Sequence, residues 1–584
     1  MYSQNKQKFA FKWAILNHMT NTCLFGPHYE TYTIWLSARQ LTYLGEMENQ
    51  SSWTCGANHA IQISMVQPVE TKLNTLSTFR PEFTYPIFGE EETIFGYKGL
   101  NIRMRFSAHD LRLNVHISYN EKFKTVADVA PVDLFATLDP WLPKSSFAPV
   151  EEFEQSVLND EAAKDFKPPG KLVHSYSSKR RNYEIWAGSL VDPEVRTLLN
   201  RIQIFVSFFI EGGRPIATDD LEWTLQRWTV YFVYEKIDPP TPTAPSYSFV
   251  GYATTYRWYF YLHEPSNSNN HKVTDIPFPY AEEISISKLP ARLRIAQFLI
   301  LRPHQQSGHG SQLYHTIHSA CLADPTLHEL TVEDPNEAFD YLRDTNDYKT
   351  LLPEFLKHNI TINANPYPPE DNNANNGQNN DSKKARRSRR PRFMPTSTLL
   401  PTATLHALRI QYKLAPVQFA HIVEMYLLSQ IPASHRGSGV GMGAGEAAPT
   451  STPMARLLVQ KWRAPNEDDR RYYWWRMLVK QRLYKRHRDL LIQLDRAERL
   501  EKLEETVGNV EEGYDGLLKA FENRETQEGG DGDVGRGEDS PARKRGKRKF
   551  TVFEDEDEEN EDQDSGEAGM EGGVGNGDAK KKKI

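Results

Sequence analysis

The chain has 584 residues, which at roughly 100–200 residues per domain leaves room for about three to five domains. Hydrophobic residues make up 39% and aromatics 11% of it, so a wholly disordered or fibrous chain is excluded. The formal charge of −7 argues against a protein held to its partner mainly by phosphate contacts, although acids and bases stand in separate blocks. Cys23, Cys55 and Cys321 lie too far apart for a disulfide framework or a metal knuckle and suit a reducing compartment. No apolar run reaches the roughly 18 residues of a membrane span, and the first residues lack the order of a secretory signal. The expected setting is intracellular, with no membrane partner.

Residues 1–50 have no clear period and read as an uncertain extension. From Trp53 the texture changes. Residues 60–66, 100–106 and 113–117 alternate as strands do, and the aromatic stretch between them ends in the turn-like Phe95-Gly-Tyr-Lys-Gly99. Residues 51–175 therefore read as an N-terminal α+β domain. Val195, Leu198, Leu199, Ile202 and Phe205 recur at helix spacing. Two aromatic strands, Trp228–Ile237 and Tyr247–Leu262, follow as an antiparallel hairpin around the turn-prone Asp238–Pro245, and Glu264–Asn270 closes the pair.

The best-defined stretch is 292–345. Arg292–Leu301 is a strand, 303–310 a glycine-bearing turn, and Leu313, Ile317 and Leu322 mark an amphipathic helix. A second strand, Glu329–Glu333, is stopped by Asp334-Pro335, which also start a helix through Ala338, Phe339 and Leu342, with Pro335 at its first position. Residues 176–362 form the expected second domain. Residues 363–401 read as a disordered basic linker and 402–520 as a helical domain with a disordered insertion at 436–453. The seam from Leu490 to Leu517 packs either on the same chain or on a partner. Residues 521–584 form a charged tail with a basic run at 543–549 and nine carboxylates at 554–564.

The chemistry centres on Gln305-Gln306-Ser307-Gly308-His309-Gly310, between a strand and a helix. Backbone N–H groups at such a turn, with the positive end of the helix, cradle phosphate oxygens, and the glycines permit close approach. The run is neither a Walker A loop nor a dinucleotide fingerprint. It reads either as a phosphate site or as an ordinary strand–helix turn. Adjacent strands place Glu333 near this loop, where apolar flanks would raise its pKa towards that of a general base, while Asp334 caps the next helix. His309 orders the loop or faces solvent, and Cys321 is a core thiol. No metal is implied.

These residues resemble a known family, the type B histone acetyltransferases, a branch of the GNAT acetyl-CoA-dependent superfamily. The resemblance spans about residues 50–360 and 402–520. It is carried by Trp53–Ile61, Phe88–Leu100, Phe166–Gly170, Phe209–Gly213, Gln297–Gly310, Val332–Leu342 and Asp495–Glu505. It implies an α+β fold: a GNAT core with an N-terminal α+β domain and a C-terminal helical domain. It further implies that Phe298, Leu299 and Ile300 pair with the pantetheine arm of acetyl-CoA. Gln305, Gln306, Ser307, Gly308, His309, Gly310 and Ser311 would wrap its pyrophosphate, and Asn336 would contact it too. Glu333 maps to the general base, with Glu211 and Asp334 in support.

The implied reaction is direct acetyl transfer to a lysine of the N-terminal tail of free, newly made histone H4, in company with H3. A WD-repeat histone-binding subunit is the implied partner. Asp219, Asp220, Trp223 and Trp228 would line a groove for the basic peptide, although Asp219-Asp220 also reads as a solvated turn. The basic run at 543–549 reads as a nuclear import signal, giving a nuclear and cytoplasmic distribution, and the acidic run as a tail attractive to histones. Two alternatives stand beside this reading: a non-catalytic histone-binding scaffold, and an acetyltransferase for another lysine protein or a small amine. Specific nucleic-acid recognition is not expected.

Overall fold

A computed structural model describes residues 52–126, 129–239, 241–242, 244–259, 289–367, 395–437 and 461–528. The expectations for residues 1–50, the turn at 264–270, the linker, the 436–453 insertion and the charged tail fall wholly or mostly outside these residues. The chain forms two compact units. Among the described residues the first takes those up to Gln62, Arg80–Met104 and the described part of Val115–Pro140, and the second takes Ile63–Phe79, Arg105–Asn114 and the described residues from Trp141 on.

In the first unit, short strands pair antiparallel: Thr54–Gly56 with Thr93–Phe95, and Tyr97–Lys98 with Glu121–Lys122. A polar knot holds the turns, as the Glu92 carboxylate accepts from Asn58 Nδ2 at 3.1 Å and from the Tyr85 N–H at 3.2 Å. Gly96 has φ +103°, and a Cβ there would overlap Pro131, so only glycine fits.

The second unit opens with a hairpin of β1 (Ile61–Val69) and β2 (Lys72–Phe79), paired from Ile63 to Phe79. Helix α1 (Val150–Leu158) lays Phe153 and Val157 on Val66. A six-stranded sheet follows, built from β3 (Lys171–Ser178), β4 (Arg181–Ser189), β5 (Trp228–Lys236), β6 (Tyr247–Tyr259), β7 (Ala291–Ile300) and β8 (Leu327–Val332). Its order is β8-β7-β6-β5-β4-β3, antiparallel except for the parallel pair β7–β8. Helices α2 (Pro193–Ile202) and α3 (Ile204–Phe209) precede β5. Helix α4 (His309–Ala323) makes the crossover between β7 and β8. It packs Leu313, Tyr314, Ile317 and Cys321 on the face formed by Ile185, Val233, Ala253, Leu293 and Ile295. Burial pushes the Cys321 thiol up to about 12, so it is a core group, as expected.

Helix α5 (Glu337–Lys357) belongs to two cores at once. Its first turns carry Phe339 and Leu342 against the sheet cluster. Its later turns carry Tyr348, Leu351 and Phe355 into a helical body made with α6 (Thr402–Gln411), α7 (Pro416–Ser429), α8 (Glu467–Arg486) and α9 (Arg496–Glu528). The start of α5 departs from expectation. Asn336, not Asp334, caps it, its Oδ1 accepting from the Phe339 N–H at 2.9 Å, and the helix begins at Glu337, after Pro335. Asn336 stands three residues before that donor, the reach a capping side chain needs. Asp334 instead takes the turn itself, at φ +38°. The seam along α9 packs on its own chain through Leu503, Val507 and Tyr514. Buried ion pairs fix the bundle: Arg482 grips Glu424 with two bonds of 2.8 and 2.9 Å, and Tyr514 donates to the same carboxylate.

Several interactions tie α4 to this helical body, among them the bond from the His318 ring to the Tyr412 carbonyl at 2.8 Å. Lys413 donates its ammonium to the carbonyls of Cys321, Leu322 and Asp324, the negative end of α4. The Lys413 carbonyl also accepts from the Leu330 N–H, covering part of the edge of β8. Deeper in, Tyr314 of α4 donates to Asp347 of α5, and one Gln418 amide of α7 donates to both Asp344 and Asp347.

Lys413→Met should therefore cost about 1–2 kcal/mol of stability, read by chemical denaturation. The two aspartates give a pH signature. Burial raises Asp344 to about 7 and Asp347 to about 6. The folded chain holds these protons more tightly than the unfolded chain, whose carboxyls release them near pH ~4. Their contribution is thus present at low pH and lost as pH rises through about 6 to 7. Asp344→Asn, which keeps an oxygen for Gln418, should lose less melting temperature than the parent between about pH 5 and 8. Parallel curves would refute the assignment.

Candidate active site

The site begins with one extra residue. Thr254 of β6 pairs with Gln297 and Thr255 with Ile295, so Ala296 is a bulge in β7. The bulge N–H of Gln297 is satisfied by the buried Thr254 hydroxyl at 3.1 Å. On the other side, β8 follows β7 only as far as Val332 opposite Ile295, where the Glu333 N–H closes the ladder on the Ile295 carbonyl at 2.9 Å. Beyond that fork, among the described residues, no strand pairs with Phe298, Leu299 and Ile300 on the side away from β6. Their backbone there is an open strand edge, suited to an extended ligand arm. The Phe298 ring packs edge-on to Phe339, 5.0 Å away.

The open edge leads into the loop. Gln305 folds back to donate to the Ile300 carbonyl at 2.9 Å, Gln306 is left-handed at φ +58°, and Gly308 caps α4 at φ +85° with no side chain on the first N–H groups. Those groups form the anion-binding end of a 15-residue helix. Gly310 is required for another reason: a Cβ there would meet Leu342 Cδ1 at 2.6 Å, so glycine lets α4 approach α5. Ser311 accepts from Asn346 at 3.2 Å. His309 does not face solvent. It is buried, with Nδ1 at 2.8 Å from the Tyr176 hydroxyl and its ring 4.3 Å from Tyr183. Burial, helped by the Lys179 charge, lowers its pKa.

Glu333 leaves the fork on the sheet face opposite α4. Trp228, Tyr256, Arg294 and Thr331 stand opposite one another on β5 to β8, and Glu333 is two residues beyond Thr331 on the same side. It is exposed rather than enclosed by apolar flanks. Its charge reaches Tyr256: burial first, then the Glu333 charge, raises the phenol pKa, while Arg294 opposes the rise. Trp228 packs on Tyr256 at 4.6 Å, and the Arg294 guanidinium lies 5.7 Å from the Trp258 ring.

The exposed Glu211 starts a loop whose later residues are pinned to the sheet. Gln203 bonds both backbone groups of Ile216 at 2.6 Å, and the Gln297 amide donates to the Arg214 carbonyl at 2.9 Å. The bulge that opens the sheet thus also anchors the loop bearing Glu211. Asp219 and Asp220 are exposed on the continuation of this segment, where Asp220 caps the Leu221 N–H. Trp223 is half exposed in a single helical turn, Glu222–Leu225, so the aromatic strand starts only at Trp228.

Gln297, Tyr256, Trp258 and Arg294 were not among the residues expected here. Their alternation in Tyr252–Trp258 and Arg292–Gln297 was the available signal, but the bulge reverses the face of every residue after Ala296 and hides the pairing. Among the described residues, His109, Asp110 and Asp160 form a group of metal-ligand type. Arg112 and Arg201 already neutralise Asp110, and Arg112 also pairs with Asp160. These carboxylates serve a structural turn.

Residues 53–211 match the family described as "Histone acetyl transferase HAT1 N-terminus". The chain is 57% identical over 516 residues to the "Histone acetyltransferase type B catalytic subunit" of Aspergillus fumigatus, covering 86% of each chain. It is 56% identical over 521 residues to the subunit of the same name from Aspergillus oryzae, covering 87% of this chain and 96% of that one. It is 37% identical over 520 residues to the one from Neurospora crassa, with the same coverage. With an acetyltransferase-type α+β sheet forked at Ala296 and identity of this extent, the chain belongs to the family of type B histone acetyltransferase catalytic subunits.

Proposed function

We propose that this histone acetyltransferase acts on a lysine of the N-terminal tail of free histone H4, with Glu333 as general base. The observation that carries the reading is the fork, where an exposed carboxylate leaves beside an open strand edge that leads through the 301–308 loop to the uncapped N-terminus of α4. The enzyme uses acetyl-CoA as cosubstrate. Phe298, Leu299 and Ile300 offer backbone N–H and C=O groups to its pantetheine arm, and Gln305 to Ser311 offer N–H groups to its phosphates, with Asn336 nearby. A lysine amine has a pKa near 10.4 and arrives protonated. Glu333 takes that proton, directly or through water, and the freed amine attacks the thioester carbon. N–H groups of β7 near Phe298 steady the oxyanion as the C–N bond forms and the C–S bond breaks. The first proton ends on Glu333, and the departing thiolate takes the electron pair and then the amine's second proton, leaving as the free thiol.

Glu211 and Asp334 supply supporting negative charge. Asp219, Asp220, Trp223 and Trp228 hold the basic peptide by charge and by aromatic faces. A WD-repeat histone-binding subunit completes the complex, and the enzyme divides between nucleus and cytoplasm, with the 543–549 run as the import signal. No metal takes part.

Glu333→Gln should lower kcat for acetyl transfer to an H4 tail peptide by about 100-fold or more, with acetyl-CoA binding retained by calorimetry. A variant turning over at the parent rate would remove Glu333 from the proton-accepting role and point to Glu211 or Asp334.

A further inference from the structure

The turn between β3 and β4 is built against its own conformational preference. Arg181 pairs directly with Ser178, leaving a two-residue loop, Lys179-Arg180, with φ +49° and +66°. A two-residue hairpin loop with both residues left-handed is the turn that favours Asn-Gly, since side chains with a long stem are strained there. Here both positions carry long cationic side chains instead. Strain of this kind persists where the surroundings hold it and where it has a use.

The surroundings are the phosphate loop. Lys179 donates its ammonium to the Ser307 hydroxyl at 3.1 Å, and the Ser178 hydroxyl donates to the Ser307 carbonyl at 3.1 Å. The turn is therefore fastened to the middle of Gln305–Gly310, next to the uncapped end of α4. Lys179 and Arg180 are both exposed, and neither has a carboxylate partner among the described residues. The next cation, Arg181, is already matched by Glu235 at 3.1 Å. The loop's own imidazoles add no charge: burial, His309 and Arg181 lower His304 to about 4, and His309 is lowered as well. Beside Arg302 at the start of the loop, the hairpin tip brings fixed positive charge to this mouth.

We propose that Lys179 and Arg180 form the outer wall of the cosubstrate's phosphate site and pair with phosphate oxygens at its nucleotide end. This rests on the reading of Gln305–Ser311 as the acetyl-CoA loop. A strained turn bearing two unmatched cations, bonded to that loop, is what a polyanionic ligand would draw on, because charge-assisted bonds to phosphate are the strong ones.

The test is the dipeptide the turn would prefer, Lys179→Asn with Arg180→Gly. The proposal expects equal or higher melting temperature, KM for acetyl-CoA raised about tenfold or more, kcat at saturation within about twofold of the parent, and KM for the histone peptide unchanged. Lys179→Arg alone should keep most of the affinity. Repeating the assay with acetyl-dephospho-CoA tells the phosphates apart, and both results support the pairing. Parent and variant with the same KM there would place the contact on the 3′-phosphate, and a persisting loss would place it on the pyrophosphate. An unchanged KM for acetyl-CoA in the folded double variant would overturn the proposal and leave the turn a purely structural one. A parent enzyme that failed to bind acetyl-CoA at all would overturn the loop assignment itself, and this proposal with it.

Discussion

One extra residue organises this molecule. Without Ala296, β7 would keep a single register from Ala291 to Ile300, and the side chains past Ile295 would continue their alternation unbroken. The inserted residue shifts that alternation, so Gln297 joins Arg292 and Arg294 on one face while Phe298 joins Leu293 and Ile295 on the other. The partner strand β8 stops where the shift occurs, because a straight strand cannot follow a bent one. The open edge, the exit of Glu333 and the anchoring of the Glu211 loop through Gln297 all follow from that local choice. The Thr254 hydroxyl removes its chief cost, an unsatisfied N–H in the centre of a sheet.

The second organising feature is that no core belongs to the site alone. Helix α5 gives its first turns to the sheet and its last turns to the helical body, so Asn336, Phe339 and Leu342 are held by the packing of Leu351 and Phe355 further along the same rod. Helix α4 is held at its far end by Lys413 and in the middle by Tyr314. The helical body is therefore a brace for the two helices that flank the loop. That arrangement explains why buried carboxylates occur at their junction: Asp344 and Asp347 give Gln418 and Tyr314 fixed acceptors, which define one seating of α4, α5 and α7 where apolar contacts alone would allow several.

Much of this was legible in the sequence because the signals were local. The strand at 292–301, the glycine-bearing turn, the helix through Leu313 and Ile317 and the hairpin at 228–259 each announce themselves within a dozen residues, and the structure has them within a few residues of those limits. What escaped depends on pairing between distant segments. Nothing in residues 292–301 says that Ala296 is surplus, since the surplus exists only relative to Thr254 and Thr255. Asp334 looked like the cap because acids often precede a helix, whereas Asn336 has the reach. For His309 the polar loop leaves both an ordering role and exposure to solvent open, and Tyr176 and Tyr183, more than a hundred residues earlier, provide the enclosure that excludes the second.

Four of the ten left-handed non-glycine residues among the described residues lie at the loop, at the hairpin tip bonded to it and at the fork. Lys179 and Arg180 meet the loop at Ser307, Gln306 lies inside it, and Asp334 sits at the fork. Glycine or asparagine would turn the chain more cheaply at each of these four positions. They share instead the effect of fixing backbone direction before any ligand arrives. A flexible, multiply charged ligand loses much conformational freedom on binding, and a receptor that had to order itself as well would add to that loss. The neutral imidazoles point the same way. Burial lowers His304 to about 4 and lowers His309 as well, so the mouth does not rely on histidine for the positive charge that Lys179 and Arg180 carry on the hairpin tip.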